Sequence, residues 1–292
     1  MTELTDELLL SEIKKRLTGY KEKQKELEML TKELFEVNNR LKESEALKTH
    51  FISNITNEIV NPFASIIALS TEILQMKEQN FDKVKTLISL IHAETFYLDF
   101  QLRNIFAAAQ IEAGEGTFEP VNVEIPRFFK NIIEAFTIEC EKREINIIFN
   151  LPEDGTIFTT DAQKLKLVVI NILSNAIKFS YERNNVELQV WIADNNLNFS
   201  IRDYGIGFSN KYKDVIFDRF RRLDNTINSI TRGHGLGLSI VKDYLEILKG
   251  TIDVHSIKEQ GTIVTVTIPQ SSIQSEEITD GDELLFDDGF TF

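Results

Sequence analysis

Two glycine-rich segments constrain this chain more than any other feature of its sequence. The first is Asp203-Tyr-Gly-Ile-Gly207, which follows a strand-like stretch, and the second is Gly233-His-Gly-Leu-Gly-Leu238, which precedes a helical pattern. Glycines at such turns let the backbone approach a ligand closely and present N–H groups to phosphate oxygens. A helix that begins at Gly235 adds its positive end. The two segments therefore predict phosphate binding at one edge of a sheet.

A helix with two amide side chains accompanies the glycine turns. Asn171 and Asn175 are four residues apart on one helical face, and Lys178 lies one turn further along. Amide oxygens suit Mg²⁺, a hard cation that keeps several waters and takes few protein ligands, and the ammonium group of Lys178 suits a phosphate. The alternative is an ordinary surface helix with polar side chains, which the two glycine turns disfavour.

Together these segments resemble the ATP-binding domain of sensor histidine kinases. They occur in the family's order, with Phe217-Asp-Arg-Phe220 between the two glycine turns, and the resemblance covers about residues 45–270. It implies that ATP and Mg²⁺ are the cofactors, with the metal at Asn171 and Asn175 and a phosphate at Lys178.

The resemblance also implies a role for the residues of the turns. Asp203 would accept a hydrogen bond from the adenine amino group, and a buried acceptor with a matching donor selects adenine over guanine. Gly205 and Gly207 would make room for the adenine ring. The backbone of Gly233, Gly235 and Gly237 would wrap the phosphates, with Leu236 packed below them. Arg222 would lie near the γ-phosphate.

The helix that should carry the phosphate-accepting histidine departs from the family, because Asn57 occupies the histidine position. In the family an imidazole nitrogen attacks the γ-phosphorus, and the residue matching Glu58 accepts the proton on the other ring nitrogen. The residue matching Asn61 orients the water that removes phosphate from the partner's aspartate; the alternative for Asn61 is a residue that only tolerates a kink at Pro62. An amide nitrogen is not nucleophilic, since its lone pair is delocalised, so no self-phosphorylation is expected at position 57.

Two explanations of Asn57 remain open: a natural paralogue without an acceptor, or a substitution that traps an unphosphorylated state. Three function classes follow. The first is the histidine-kinase core of a two-component system, and the second is a non-catalytic regulator that pairs with another histidine kinase or binds its receiver domain. The third is a gyrase-type or chaperone-type ATPase, which would carry a catalytic glutamate in the asparagine helix, where this chain has Leu167.

Hydrophobic periodicity predicts two helical domains at the N-terminus. Residues 46–116 form a helical hairpin, with one helix to about Gln79 and another from Phe81 to Ala113, that pairs with a second copy in a four-helix bundle. The alternative for this hairpin is docking on the next domain. For the N-terminal segment described next, the alternative to a coiled coil is a single amphipathic helix lying on the protein's own body. Residues 1–45 form a coiled-coil signalling helix, whose seam residues are alternately three and four apart: Leu27, Leu30, Leu34, Val37 and Leu41.

Residues 117–270 predict an α/β sandwich with one mixed sheet and helices on one face, so that the fold class is α+β. The predicted helices cover 125–143, 161–180 and 235–249, and the strands cover 145–149, 156–160, 186–192, 197–203, 251–256 and 261–268. Residues 208–232 show little periodicity and predict a mobile lid. Residues 271–292 form an acidic tail that is predicted to be disordered, with a docking peptide as the alternative.

Composition limits the partners and the compartment. The net charge of −14 and the lack of a basic stripe argue against binding to nucleic acid. The single cysteine, Cys140, excludes an intramolecular disulfide and fits a reducing compartment, and no apolar run approaches the roughly 18 residues that a membrane span needs. We expect a cytoplasmic homodimer whose partners are a response-regulator receiver domain and another histidine kinase.

Overall fold

The computed structural model describes residues 2–76, 80–213, 215–219, 235–272 and 278–279, and only the backbone of residues 2–8, 22, 36, 39–41, 43–58 and 278. The chain divides into two compact units, Met1–Ile52 and Ser53–Phe292. The first unit belongs to helix α1 (Thr2–Gln75), which confirms that the N-terminal segment is helical. Four of its five predicted seam residues are each more than half exposed, namely Leu27, Leu30, Leu34 and Val37, and the side chain of the fifth, Leu41, lies outside the described part of the chain. Pairing in a coiled coil and the boundaries at residues 45, 116 and 270 remain predictions.

The second unit begins with helices from both predicted arms of the hairpin. Helix α1 ends at Gln75, close to the predicted end near Gln79, which lies outside the described residues. Helix α2 (Phe81–Ala113) has the predicted bounds. The Asn80 side chain accepts a hydrogen bond from the backbone of the first turn, and Gly114 ends the helix in the left-handed conformation with φ of 72°, where glycine has no steric penalty.

The remaining elements form two sheets and the helices packed on them. In chain order they are β1 (Val121–Glu124), α3 (Ile125–Ala135), α4 (Thr137–Arg143), β2 (Asn146–Asn150), β3 (Ile157–Thr160), α5 (Ala162–Phe179), β4 (Asn185–Ala193), β5 (Asn196–Asp203), α6 (Gly237–Ile247), β6 (Thr251–Ile257), β7 (Gly261–Pro269) and β8 (Ile278–Thr279). Long helices followed by a domain of helices and strands confirm the predicted α+β class.

The five-stranded sheet has the order β2-β4-β5-β7-β6, with β2 parallel to β4 and the other neighbours antiparallel. Burial alternates along β5, as expected for a sheet with one covered face. The covered face packs on the helices; for example, the rings of Phe199 on β5 and Phe129 on α3 meet edge to face at 5.7 Å. The prediction of helices on one face of a sheet is therefore correct for this sheet.

The prediction of one mixed sheet is wrong, because a second sheet has the order β3-β1-β8. Strand β1 has only 4 residues before the helix that contains Pro126, so its period was too short to detect. It pairs antiparallel with β3, with Glu124 opposite Ile157. Strand β8 pairs parallel with β1 and lies in the tail that is predicted to be disordered. Residues 273–277 and 280–292 lie outside the described residues, so the disorder of the tail stays a prediction.

The single helix predicted over residues 125–143 is also wrong, because the chain leaves the helical conformation at Phe136, where φ is −92° and ψ is 0°. Phe136 is 3% exposed and meets Phe96 of α2 edge to face at 5.5 Å. The break separates α3, which packs on α5, from α4, which packs on α2. Amphipathic periodicity continues across this position, so only the packing partners reveal it.

Helix α6 (Gly237–Ile247) is two residues shorter at each end than the predicted helix over residues 235–249. The left-handed residue after α6 is Lys249, with φ of 55°, and Gly250 follows it. A side chain at Gly250 is disfavoured by packing, because a Cβ there would lie 2.8 Å from the Thr267 carbonyl oxygen of β7. The helix begins at Gly237, two residues after the predicted start at Gly235.

Part of the predicted lid is described: Asn210–Tyr212 and Val215–Phe217 form single 3₁₀ turns. Residues 214 and 220–234 lie outside the described residues, so the mobility of a lid stays a prediction. Within the described ranges, no helix combines the length and the apolar character needed to cross a membrane.

Candidate nucleotide-binding site

Charged side chains hold both ends of α5, the helix that carries the predicted asparagine site. Asp161 caps its N-terminus: Oδ1 accepts from the Lys164 amide at 3.0 Å, and Oδ2 pairs with the Lys164 ammonium group at 2.7 Å. The last carbonyl groups of a helix lack partners within it. The guanidinium group of Arg143 on α4 donates to three of them at the C-terminal end of α5: Ile177, Lys178 and Ser180.

Asn171 lies in the middle of α5 and is 3% exposed. Its Nδ2 donates to the Leu167 carbonyl oxygen and to Asn104 Oδ1, both at 2.8 Å. The amide oxygen of Asn171 faces the second glycine turn, since a Cβ at Gly237 would overlap it. The asparagine helix and this turn are therefore brought together.

The other residues of the second glycine turn fit this close approach. Leu236 is 1% exposed and packs into the core directly before α6. Gly235 has φ of 71°, in the left-handed region that favours glycine. Gly233 and Arg222, which the resemblance also implies, lie outside the described residues.

Asn175 and Lys178 continue along α5 and are both half-buried. The Lys178 ammonium group lies 5.1 Å from the centroid of the Phe179 ring. The Asn175 amide and the Lys178 ammonium group lie within two turns of Asn171, toward the end of α5 that contacts the first glycine turn.

Asp203 ends β5 and is 6% exposed. Burial raises the pKa of its carboxyl group from 3.8 to about 6, because the charged form loses solvation. The Gly205 amide donates to Oδ1 at 3.0 Å, and the Thr262 amide and hydroxyl groups also donate and lower the pKa in part. Near neutral pH this side chain is an ionised hydrogen-bond acceptor in a largely buried position.

The first glycine turn contacts the C-terminal end of α5. The Ile206 amide donates to the Phe179 carbonyl oxygen at 3.1 Å, and a Cβ at Gly205 would overlap the same oxygen. Gly207 has φ of 50°, and a Cβ there would overlap the Ile257 carbonyl oxygen. Both glycines are thus required by close backbone contacts within the protein, a reason that the sequence does not reveal. As a result, α5 is bordered by one glycine turn at its middle and by the other at its end.

The residues of the predicted acceptor region lie in α1. Asn57 and Glu58 have helical backbone, and their side chains are outside the described part of the chain. Asn61 is exposed and precedes the buried Pro62. The described contacts bring together the nucleotide-site residues of α5 and the two turns, and the arrangement of the acceptor residues relative to them stays a prediction.

No sequence pattern predicted that some residues of α2 contact the site. Asn104 and Glu112 on α2 reach the nucleotide-site elements: Asn104 through Asn171, and Glu112 through Arg219, which also binds Asp243 of α6. Their partners are far away in sequence, so neither spacing nor periodicity could have identified them.

Cys140 has no role at this site. It is buried on α4, and burial raises the pKa of its thiol group to about 11. A thiol that stays protonated is a poor nucleophile.

The chain is similar in sequence to known ATP-binding proteins. Residues 160–272 match the family described as histidine kinase-, DNA gyrase B-, and HSP90-like ATPase. The chain is 28% identical over 278 residues to the circadian input-output histidine kinase CikA of Synechocystis sp., covering 92% of this chain and 36% of CikA. It is 27% identical over 232 residues to the sensor histidine kinase WalK of Bacillus subtilis, covering 79% of this chain and 38% of WalK. The chain thus spans little more than a third of the length of these relatives.

A solved structure shares the fold. Full-length ShkA in complex with AMPPNP matches with a TM-score of 0.50 and 20% identity, over 79% of this chain and 47% of ShkA. The family match at residues 160–272 contains α5, the described parts of both glycine turns, and strands β4 to β7. These are the elements that form the site. The chain is therefore a relative of the sensor histidine kinases, and its residues 160–272 form an ATP-binding domain of the type that these kinases share with DNA gyrase B and HSP90.

Proposed function

We propose that the chain is the kinase core of a two-component system, which binds Mg²⁺-ATP for phosphoryl transfer to a protein histidine. The observation that carries this proposal is the position of α5, which borders Gly237 at its middle and the Asp203 turn at its end. Phosphoryl transfer depends on positioned phosphates and neutralised charge more than on covalent chemistry by the protein. A helix with amides and an ammonium group between two glycine turns meets these requirements.

The side chains near Gly237 fit Mg²⁺. The Asn171 amide oxygen faces a space that a Cβ at Gly237 would fill, and Asn175 follows one turn later on the same helix. Amide oxygens and water suit a hard cation that needs few protein ligands. Asn171 and Asn175 would hold the ion, which neutralises charge on the phosphate oxygens when it is bound.

Asp203 would select the adenine base. The amino group of adenine is a donor, whereas guanine carries a carbonyl oxygen at the equivalent ring position. An ionised, largely buried carboxylate accepts from the first and repels the second. Recognition of the rest of the nucleotide would involve the ammonium and guanidinium groups and the backbone of the turns: Lys178, Arg222, Gly205, Gly207, Gly233, Gly235 and Leu236.

The residue at the acceptor position determines whether the chain can phosphorylate itself. With Asn57 in place of histidine, no phosphoryl group would be transferred to this position, while Glu58 and Asn61 keep the residue types of an active acceptor helix. Asn57 favours one further candidate function, a non-catalytic regulator that pairs with another histidine kinase or with a response-regulator receiver domain.

Dimerisation is the proposed assembly. The seam residues of α1 are apolar and each more than half exposed: Leu27, Leu30, Leu34 and Val37. A second copy would cover them in a two-stranded coiled coil, and the hairpin of residues 46–116 would add a four-helix bundle with the same two-fold symmetry. The proposed partner of this dimer is a receiver domain.

Restoring the nucleophile tests the function. The full chain and Asn57→His would be incubated with Mg²⁺ and γ-labelled ATP, with Asn57→Gln as a matched control that keeps an amide. We expect label that is lost in acid and stable in base only on Asn57→His. If Asn57→His binds ATP but takes up no label, the regulator becomes the better description. If neither protein binds ATP, both descriptions fail.

A further inference from the structure

A buried pair of amides joins the helical hairpin to the nucleotide site. Asn104 on α2 and Asn171 on α5 are each 3% exposed, and Asn171 Nδ2 donates to Asn104 Oδ1 at 2.8 Å. Asn104 precedes the segment that matches the ATPase family at residues 160–272. A residue of the hairpin therefore contacts a proposed metal ligand of the ATP-binding domain.

This contact determines which way the Asn171 amide points. The Leu167 carbonyl oxygen can only accept, so the Asn171 atom beside it must be Nδ2. The second N–H of Nδ2 is donated to Asn104 Oδ1. If the Asn171 amide turned over, its oxygen would face the Leu167 carbonyl oxygen in a buried position and that hydrogen bond would be lost, and the Asn104 amide would have to turn over as well to donate to it. Asn171 Oδ1 is thereby held on the side of Gly237.

We propose that Asn104, which lies on α2 of the hairpin, is a positioning residue for the Mg²⁺ site of the ATP-binding domain. This inference rests on the proposed function, because it assumes that Asn171 Oδ1 binds the ion. Groups that orient a metal ligand from behind commonly change metal affinity about 10-fold to 100-fold when they are removed. Asn104 is such a group, and it lies on a helix that the ATP-binding domain does not itself contain.

Other contacts hold α2 in place without touching Asn171, and they supply a control. Arg103 donates to Asp99 at 3.0 Å and to Gln163 at the start of α5 at 3.3 Å. It is adjacent to Asn104 in the sequence and part of the same interface. A substitution of Arg103 removes this contact between α2 and α5 but leaves the acceptor for Asn171 in place.

The test measures the affinity of the full chain for a non-hydrolysable ATP analogue, once with Mg²⁺ and once with EDTA. The ratio of the two dissociation constants is the readout. Asn104→Leu, which has no acceptor, is expected to lower this ratio about 10-fold and to leave the affinity in EDTA within about twofold of the parent. Asn104→Asp, whose carboxylate only accepts, should keep at least the parent's ratio, and Arg103→Met should not change it. Asn104→Val replaces Asn104→Leu if circular dichroism shows that the leucine variant is unfolded.

The outcomes separate the two proposals. A parent-like ratio in the acceptor-free variant, or an equal loss in Arg103→Met, overturns the role of Asn104 and leaves the proposed function intact. A parent chain that binds the analogue equally well with Mg²⁺ and with EDTA refutes the metal site, and with it the role of Asn104. A loss in the acceptor-free variant that Asn104→Asp reverses supports the proposal.

Discussion

Replacing Asp203 with asparagine should change how the stability of the protein depends on pH. The carboxyl group is 6% exposed, and burial raises its pKa from 3.8 to about 6. The folded state therefore binds a proton more tightly than the unfolded state does. The stabilising contribution of the protonated group is fully present below pH 3.8 and is lost as the pH rises through 6. An asparagine at this position does not titrate and has no such dependence.

The expected size follows from the two pKa values. A displacement from 3.8 to about 6 corresponds to about 3 kcal/mol, at about 1.4 kcal/mol for each pH unit. At pH 4 the group is not yet fully protonated in the unfolded state, so about 2 kcal/mol of this total develops between pH 7 and pH 4. The free energy of unfolding of the parent, relative to that of Asp203→Asn, should rise by this amount on acidification.

Urea denaturation of both proteins at pH 7, 6, 5 and 4 measures the difference directly. The other carboxyl groups titrate equally in both proteins, so their contributions cancel in the difference between the two free energies of unfolding. Asp194→Asn is a suitable control, because Asp194 is exposed in the turn between β4 and β5 and has φ of 51°, which asparagine tolerates. A difference between the parent and Asp203→Asn that stays constant over this range would show that the carboxyl group is solvated, and would refute its role as a buried acceptor.

Four further outcomes are expected. ATP should bind at least about tenfold more tightly than GTP, and Asp203→Asn should remove most of this preference; equal affinities in the parent would contradict the role of Asp203. Arg143→Met should lower the free energy of unfolding by about 2 kcal/mol, because three carbonyl groups at the end of α5 lose a charged donor. Urea denaturation measures this change, and an unchanged denaturation midpoint would mean that water fully replaces the guanidinium group as the donor. Gly237→Ala should abolish the Mg²⁺ dependence of nucleotide affinity, because its Cβ overlaps Asn171 Oδ1; calorimetry with and without EDTA measures this dependence, and an unchanged value would contradict the proposed metal site. Light scattering on the full chain should give about twice the monomer mass of 33.6 kDa, and a monomer mass at tens of micromolar would exclude the proposed dimer.

Local signals in the sequence determined the elements whose causes are local. Helix α2 has its predicted ends because a side-chain cap and Gly114 act within one turn of the helix. The β4–β5 hairpin turns at Asp194 and Asn195, with φ of 51° and 59°, and these residue types are the ones that tolerate a two-residue turn of this kind. The predicted asparagine site and glycine turns likewise depend on residue types and short spacings, which the sequence displays directly.

Tertiary structure alone decided the features whose partners are distant in sequence. Strand pairing separated β1 and β3 from the larger sheet, and packing against Phe96 coincides with the break at Phe136. The contact of Asn104 with Asn171 spans 67 residues. A local pattern shows that a residue is apolar or polar and which face it occupies, but it carries no information on which distant group will meet it. Only the folded chain contains that information, because the sequence shows Asn171 as an ordinary helix residue and does not show that Asn104 accepts its hydrogen bond.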